Sequence, residues 1–153
     1  MELNSTLKVF NENTVPDQAG IVEGQVFKIL VGNDEHPTEK IFAGLASFEP
    51  GTHEHLHWHP IEVFYYVISG TGVMHDIEGN KHDLAAGSTV YAPAGIAGAH
   101  SWEVIEPLQL IAVRATNEPE KMIQFTVDPE SKASSIDFDF LMRQGADHFK
   151  SFY

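Results

Sequence analysis

Apolar residues along this chain fall in short runs, broken by turn residues at intervals of about 8–12 positions, the signature of an all-β sandwich or barrel. Ile21 to Val31 is β-branched and partly alternating, with Gly24 as a bulge or bend, and 32–37 (Gly-Asn-Asp-Glu-His-Pro) is a turn. A second apolar strand covers 41–48, and Glu49-Pro-Gly-Thr52 turns the chain into a histidine-rich stretch at 53–59. Strands follow at 63–68, 72–77, 88–92 and 107–114, with a hairpin turn at 78–81 and Pro93 ending the third of these. The pattern then changes: 123–127 reads as an edge strand and 132–135 as a polar joint. Asp137 or Asp139 caps a short helix running to about Lys150. Phe138, Leu141 and Met142 would pack that helix on the barrel, or Phe149, Phe152 and Tyr153 would reach a neighbouring subunit.

The histidine stretch carries the chemistry. His53, His55, His57 and His59 occupy alternate positions, so a regular strand turns all four imidazoles to one face. Neutral imidazole is a common metal ligand, and such a row points to a metal site. By the same parity Tyr65 faces inward with His57, His59 and Val63, where its hydroxyl can orient a substrate or a metal-bound water; the alternative is a core tyrosine bonded to backbone. Phe64, Tyr66 and Trp58 fall on the other face. His36, His75 and His82 read as surface or strand histidines, and Arg114, at the end of an apolar strand, faces either an anionic substrate or a surface carboxylate.

Composition narrows the partners. Nine Lys and Arg against 22 Asp and Glu give a formal charge of −13, which argues against nucleic acid and anionic membranes. The absence of cysteine excludes disulfides and thiolate metal sites. The N-terminal residues lack a basic start with an apolar run, and no apolar stretch is long enough to span a membrane, so a cytoplasmic location is expected. The length of 153 residues suits one domain over 1–153, with a core at about 20–127 and a tail at 128–153.

Gly51, His57, His59 and Gly70 stand at the spacings of the first cupin motif, and Gly87, Pro93, Gly95 and His100 resemble the second. The chain therefore resembles the cupin superfamily over about 50 residues, Gly51 to His100. The resemblance implies an all-β fold, a cupin double-stranded β-helix (jelly-roll barrel), here with a short C-terminal helical tail. Two departures matter. Val63 occupies the glutamate position of the motif, and Glu62 lies one residue early, on the opposite strand face unless a bulge re-aims it. His100 comes two residues late, which a glycine-bearing turn absorbs. The expected metal ligands are thus His57, His59 and His100, with Tyr65 as the catalytic side chain; a second register uses His55, His57 and Glu62 and breaks both glycine spacings.

The resemblance is to three-histidine cupins, such as the small diketone-cleaving dioxygenases. It implies a divalent metal ion (Fe2+ first; Zn2+, Ni2+ or Mn2+ as alternatives) and an Fe(II) dioxygenase acting on a small oxygen-chelating organic substrate. A non-catalytic small-ligand-binding cupin and a metal-dependent isomerase or lyase remain open. A homodimer is expected from the family. Because ligation needs neutral imidazole, metal affinity should fall below about pH 6.5.

Overall fold

A computed structural model describes residues 2–142 of the chain. Ten strands form antiparallel pairings throughout: β1 (Gln18–Ala19), β2 (Gln25–Val31), β3 (Phe42–Phe48), β4 (His53–Trp58), β5 (Val63–Asp76), β6 (Lys81–Leu84), β7 (Thr89–Ala92), β8 (His100–Arg114), β9 (Phe125–Val127) and β10 (Ser134–Ile136). A single helical turn, α1 (Phe138–Phe140), closes the described part. The strand order is β1-β2-β3-β8-β4-β9-β10, with β5 hydrogen-bonded to β6, β7 and β8. This is the expected all-β, cupin-type barrel with a short C-terminal helical segment.

Two long strands organise it. The stretches expected as separate strands at 63–68 and 72–77 are one 14-residue strand, and β8 begins at His100 rather than near Pro107. Paired from Val63–Arg114 to Asp76–His100, β5 and β8 bend together, with register shifts between Val67 and Gly72. Their first half buries Val63, Tyr65 and Val67 against Leu108, Leu110 and Ala112, and β3 flanks this half. Their second half carries β4 beside β8. Turn residues at Gly70 and Pro107 suggest two breaks in the sequence, but tertiary pairing carries the chain through both.

Gly70 makes the bend. It sits at φ +89°, where a side chain is strained, and a Cβ there would lie 1.9 Å from the Pro107 carbonyl oxygen. Replacing Gly70 by Ala should therefore lower stability by more than about 2 kcal/mol in urea denaturation. An Ala variant as stable as the wild type would show that the bend relaxes freely.

The C-terminal region departs most from expectation. β9 lies between β4 and β10 rather than at an edge, and the polar joint becomes β10. Asp137 caps α1 by accepting the Phe140 amide at 3.0 Å, as one of the two expected caps. The packing residue is Phe140, 2% exposed, whereas Phe138 and Met142 face solvent. The remainder of the expected helix to Lys150, with Phe149, Phe152 and Tyr153, lies outside the described residues. Among the described residues no helix is long and apolar enough to cross a membrane.

Candidate metal centre

β4 is not the regular strand its sequence implies. Against β8 its register runs His53–Glu103, Glu54–Trp102, then His57–His100, so β4 holds one residue more than β8 between the last two pairs. That β-bulge resets the parity of the strand. Glu54, His57 and His59 turn inward, at 4%, 1% and 3% exposure. His53 is exposed and His55 half-buried, while Leu56 joins a separate small cluster with Ala99 and Val127. The expected single row of four histidines is thus broken into two inward histidines and two outward ones, and a glutamate takes an inward place.

The third imidazole comes from β8. His100 is delivered by a glycine-bearing turn, with Gly95 at φ +96° and a helical turn over Ile96–Gly98, which absorbs the two additional residues. The ligand nitrogens of His57, His59 and His100 all lie within 4.8 Å of one another, so the three could hold one metal ion.

The hydrogen bonds fix which nitrogens are available. His57 Nδ1 donates to the His55 carbonyl at 2.8 Å, and His100 Nδ1 to the Gly98 carbonyl at 2.9 Å. Each ring therefore keeps its proton on Nδ1 and directs an Nε2 lone pair inward. His59 Nδ1 is turned toward the Ile123 backbone without closing a hydrogen bond of normal geometry. Burial, the largest cause, pushes His57 down to about 4 and His100 to about 3, and holds His59 well below the ordinary histidine value. All three are neutral at neutral pH, the form that binds a cation.

Two side-chain oxygens face those lone pairs. Tyr65 Oη is 3.1 Å from His100 Nε2 and 3.5 Å from His59 Nε2, and burial raises its pKa, so the phenol is neutral and donates. Glu54 Oε1 lies 3.3 Å from His57 Nε2. Burial pushes Glu54 up to about 7, against the opposing pull of nearby His55 and Arg114. Glu54 is therefore poised between its neutral and ionised forms near neutral pH, and its partner His57 is neutral, so the contact is a hydrogen bond rather than a fixed ion pair.

Glu54 was not singled out in the sequence, and no period-2 reading could find it, because only the bulge turns it inward. Glu62 points outward and accepts a hydrogen bond from Tyr91 Oη at 2.5 Å. His55 pairs with Asp137 at 3.2 Å. The second register therefore does not assemble: His55 and Glu62 are both engaged away from the cluster. His82 pairs with Asp76 at 3.0 Å on the surface, and His75 lines an outer groove with His53 and His55. Trp58 packs outside the site, stacked on Phe125 with its Nε1–H donated to Ser134 Oγ.

Beside the cluster is a cavity of about 50 Å³, roomy enough for a few waters or a ligand of a few heavy atoms. Its polar lining includes Glu54, His57, His59, Tyr65, Arg114 and Gln124, with Gln18 and Gln25; aromatic and aliphatic side chains make up the rest. Arg114 is buried, at 7% exposure, instead of serving a surface salt bridge. Gln124 is fully buried. Its Nε2 donates to Asp137 at 2.7 Å, which orients the amide and leaves Oε1 without a partner.

Comparison with known proteins agrees with this geometry. Residues 44–114 match the family described as "Cupin domain". No curated protein sequence matches significantly. Among solved structures, the polyketide cyclase RemF from Streptomyces resistomycificus superposes with a TM-score of 0.61 at 17% identity, covering 71% of this chain and 79% of that one. KdgF from Halomonas sp. gives 0.61 at 22% identity, covering 71% and 94%. Oxalate decarboxylase from Bacillus subtilis, a protein with Mn(II) centres, gives 0.63 at 21% identity over 80% of this chain, but only 33% of its own length. At these identities the likeness speaks for the fold alone. The matched segment, residues 44–114, carries the histidine cluster, and the barrel around it has the cupin fold.

Proposed function

We propose that the chain is a metal-dependent cupin enzyme, an Fe(II) dioxygenase acting on a small oxygen-chelating organic substrate. One observation carries the reading: three neutral imidazoles converge beside a small, largely apolar cavity, and the one carboxyl beside them, Glu54, lies against His57 without joining the set of mutually close ligand atoms. His57, His59 and His100 would hold the ion, and their donor set suits it: nitrogen ligands, neutral by burial, with tautomers fixed at two of them by backbone carbonyls. A bound divalent ion supplies a Lewis acid with open positions and, if ferrous, access to dioxygen chemistry.

The chain's own residues have separate tasks. Glu54, pushed up to about 7 and adjacent to His57, is placed to take a proton from an enolisable substrate and hold it away from water. Tyr65 remains protonated and donates a hydrogen bond toward the cluster, which orients a substrate oxygen. The apolar walls exclude water and strengthen both interactions.

A second reading has a specific basis as well. A carboxyl poised near neutral pH beside a Lewis acid suffices for isomerisation or elimination without oxygen. The two readings separate in one experiment. Protein loaded with Fe(II), Mn(II) or Zn(II) is mixed with 2,4-pentanedione, a small enolisable chelator, under air and under nitrogen. A charge-transfer band with iron and oxygen uptake is expected. Oxygen-independent turnover with any of the three metals would transfer the assignment to a lyase or isomerase.

A further inference from the structure

Arg114 is a strong charge in the cavity wall with no ion-pair partner among the described residues; Glu54, in the same wall, reaches it only through space. It ends β8, paired in register with Phe42 of β3 and Val63 of β5, and its side chain lies inside the barrel at 7% exposure. Its guanidinium lies over the Phe42 and Phe140 rings, 5.7 and 5.8 Å from their centroids. Among the described residues no carboxylate forms an ion pair with it, and its Nε–H has no acceptor. Two aromatic faces return only part of the solvation that a buried guanidinium loses. Buried cations are otherwise paired, so an unpaired one in a cavity wall identifies what the cavity receives.

We propose that Arg114 is the anion-binding end of the substrate pocket, and that the ligand is a small carboxylate of a few heavy atoms held by the guanidinium. The planar fork matches a carboxylate in two parallel N–H···O bonds, and the two rings fix its plane. The cavity of about 50 Å³ suits an acid of a few heavy atoms. Arg114 lines the same cavity as His57 and His59, so the carboxylate end and the cluster belong to one pocket. This deepens the reading above by giving the substrate a second contact, and it rests on that reading only for the claim that the bound acid reacts.

The test uses metal-stripped protein, so that a metal cannot capture the anion. Acetate and pyruvate are titrated against acetamide, the neutral isostere of acetate, with binding read by calorimetry and thermal shift. The wild type should bind both acids and be stabilised by them, and acetamide should do neither. Arg114→Met keeps the volume and removes the charge. It should weaken acid binding on the order of 10–100-fold while raising the melting temperature of ligand-free protein, because an uncompensated buried cation is gone. Arg114→Lys, which keeps the charge without the fork, should bind between the two. Acetamide binding as well as acetate, unchanged acid affinity in Arg114→Met, or a lower melting temperature for that variant would each overturn the proposal. Failure of the metal or oxygen assays alone would leave acid binding intact and refute only the dioxygenase reading.

Discussion

Replacing His57, His59 or His100 by Ala is expected to strip the metal, while Glu62→Gln keeps it. Each imidazole presents a lone pair to the same point, and removing one leaves two donors for an ion that must leave water to enter a buried site. Loss of a mere outer partner costs about 10–100-fold in affinity, so loss of a ligand should exceed that range. Glu62 bonds Tyr91 on the outer surface and has no line to the cluster. Metal content after purification, with chelator competition for affinity, decides it. If Glu62→Gln emptied the site while His59→Ala remained loaded, the assignment of ligands would be wrong. Glu54→Gln is a useful companion. It should retain the ion, because Glu54 stands outside the set of mutually close ligand atoms, and lose activity, because an amide cannot take up the proton.

The clustering of His57, His59 and His100 and the barrel were legible in the sequence because both depend on local rules. Glycines at turns and apolar alternation delimit strands, and His57-Trp-His59 keeps the period of two. Glu54 was illegible for the opposite reason: its inward orientation comes from a bulge defined by the partner strand β8, which no local pattern encodes. Arg114 was visible but ambiguous, since position at a strand end does not tell whether the barrel closes over it. Gly70 and Pro107 misled because their usual meaning as strand breakers gave way to the pairing of β5 with β8.

Acid should unfold the metal-free protein over a narrow range. Below about 6.5 the unfolded chain protonates all three ligand histidines, whereas burial keeps them neutral in the folded protein down to about 4 for His57 and about 3 for His100. Their contribution to stability is therefore present above the unfolded value and is lost as pH falls below it. Glu54 works against this. Its folded value of about 7 exceeds the ordinary 4.5, so between these values the folded form holds one proton more. Three protons less one leaves about two taken up on unfolding, a loss of about 3 kcal/mol per pH unit. Against a total stability of about 5–15 kcal/mol, a fall of two units is enough to approach unfolding. Urea titrations of metal-stripped protein between about pH 7 and 5 should show the midpoint falling steeply. A flat profile would mean that water reaches the histidines. The expectation of direct metal release below about pH 6.5 changes accordingly: the folded site keeps its lone pairs in that range, and acid frees the ion by unfolding the barrel.

The bulge in β4 also makes the strand tolerant of a change in length at one place. Glu54 and His57 face the same side with two residues between them, and in an unbulged strand they would face the same side with only one. A chain shortened by Leu56 could therefore present the same carboxyl and the same imidazoles to the cavity, with the loss confined to the outer cluster of Ala99 and Val127. The same deletion between His57 and His59 would turn one of them out of the barrel. Length variation in this strand should thus be harmless before His57 and ruinous after it, and a search that demands a fixed interval between glutamate and histidine would overlook chains built on the same site.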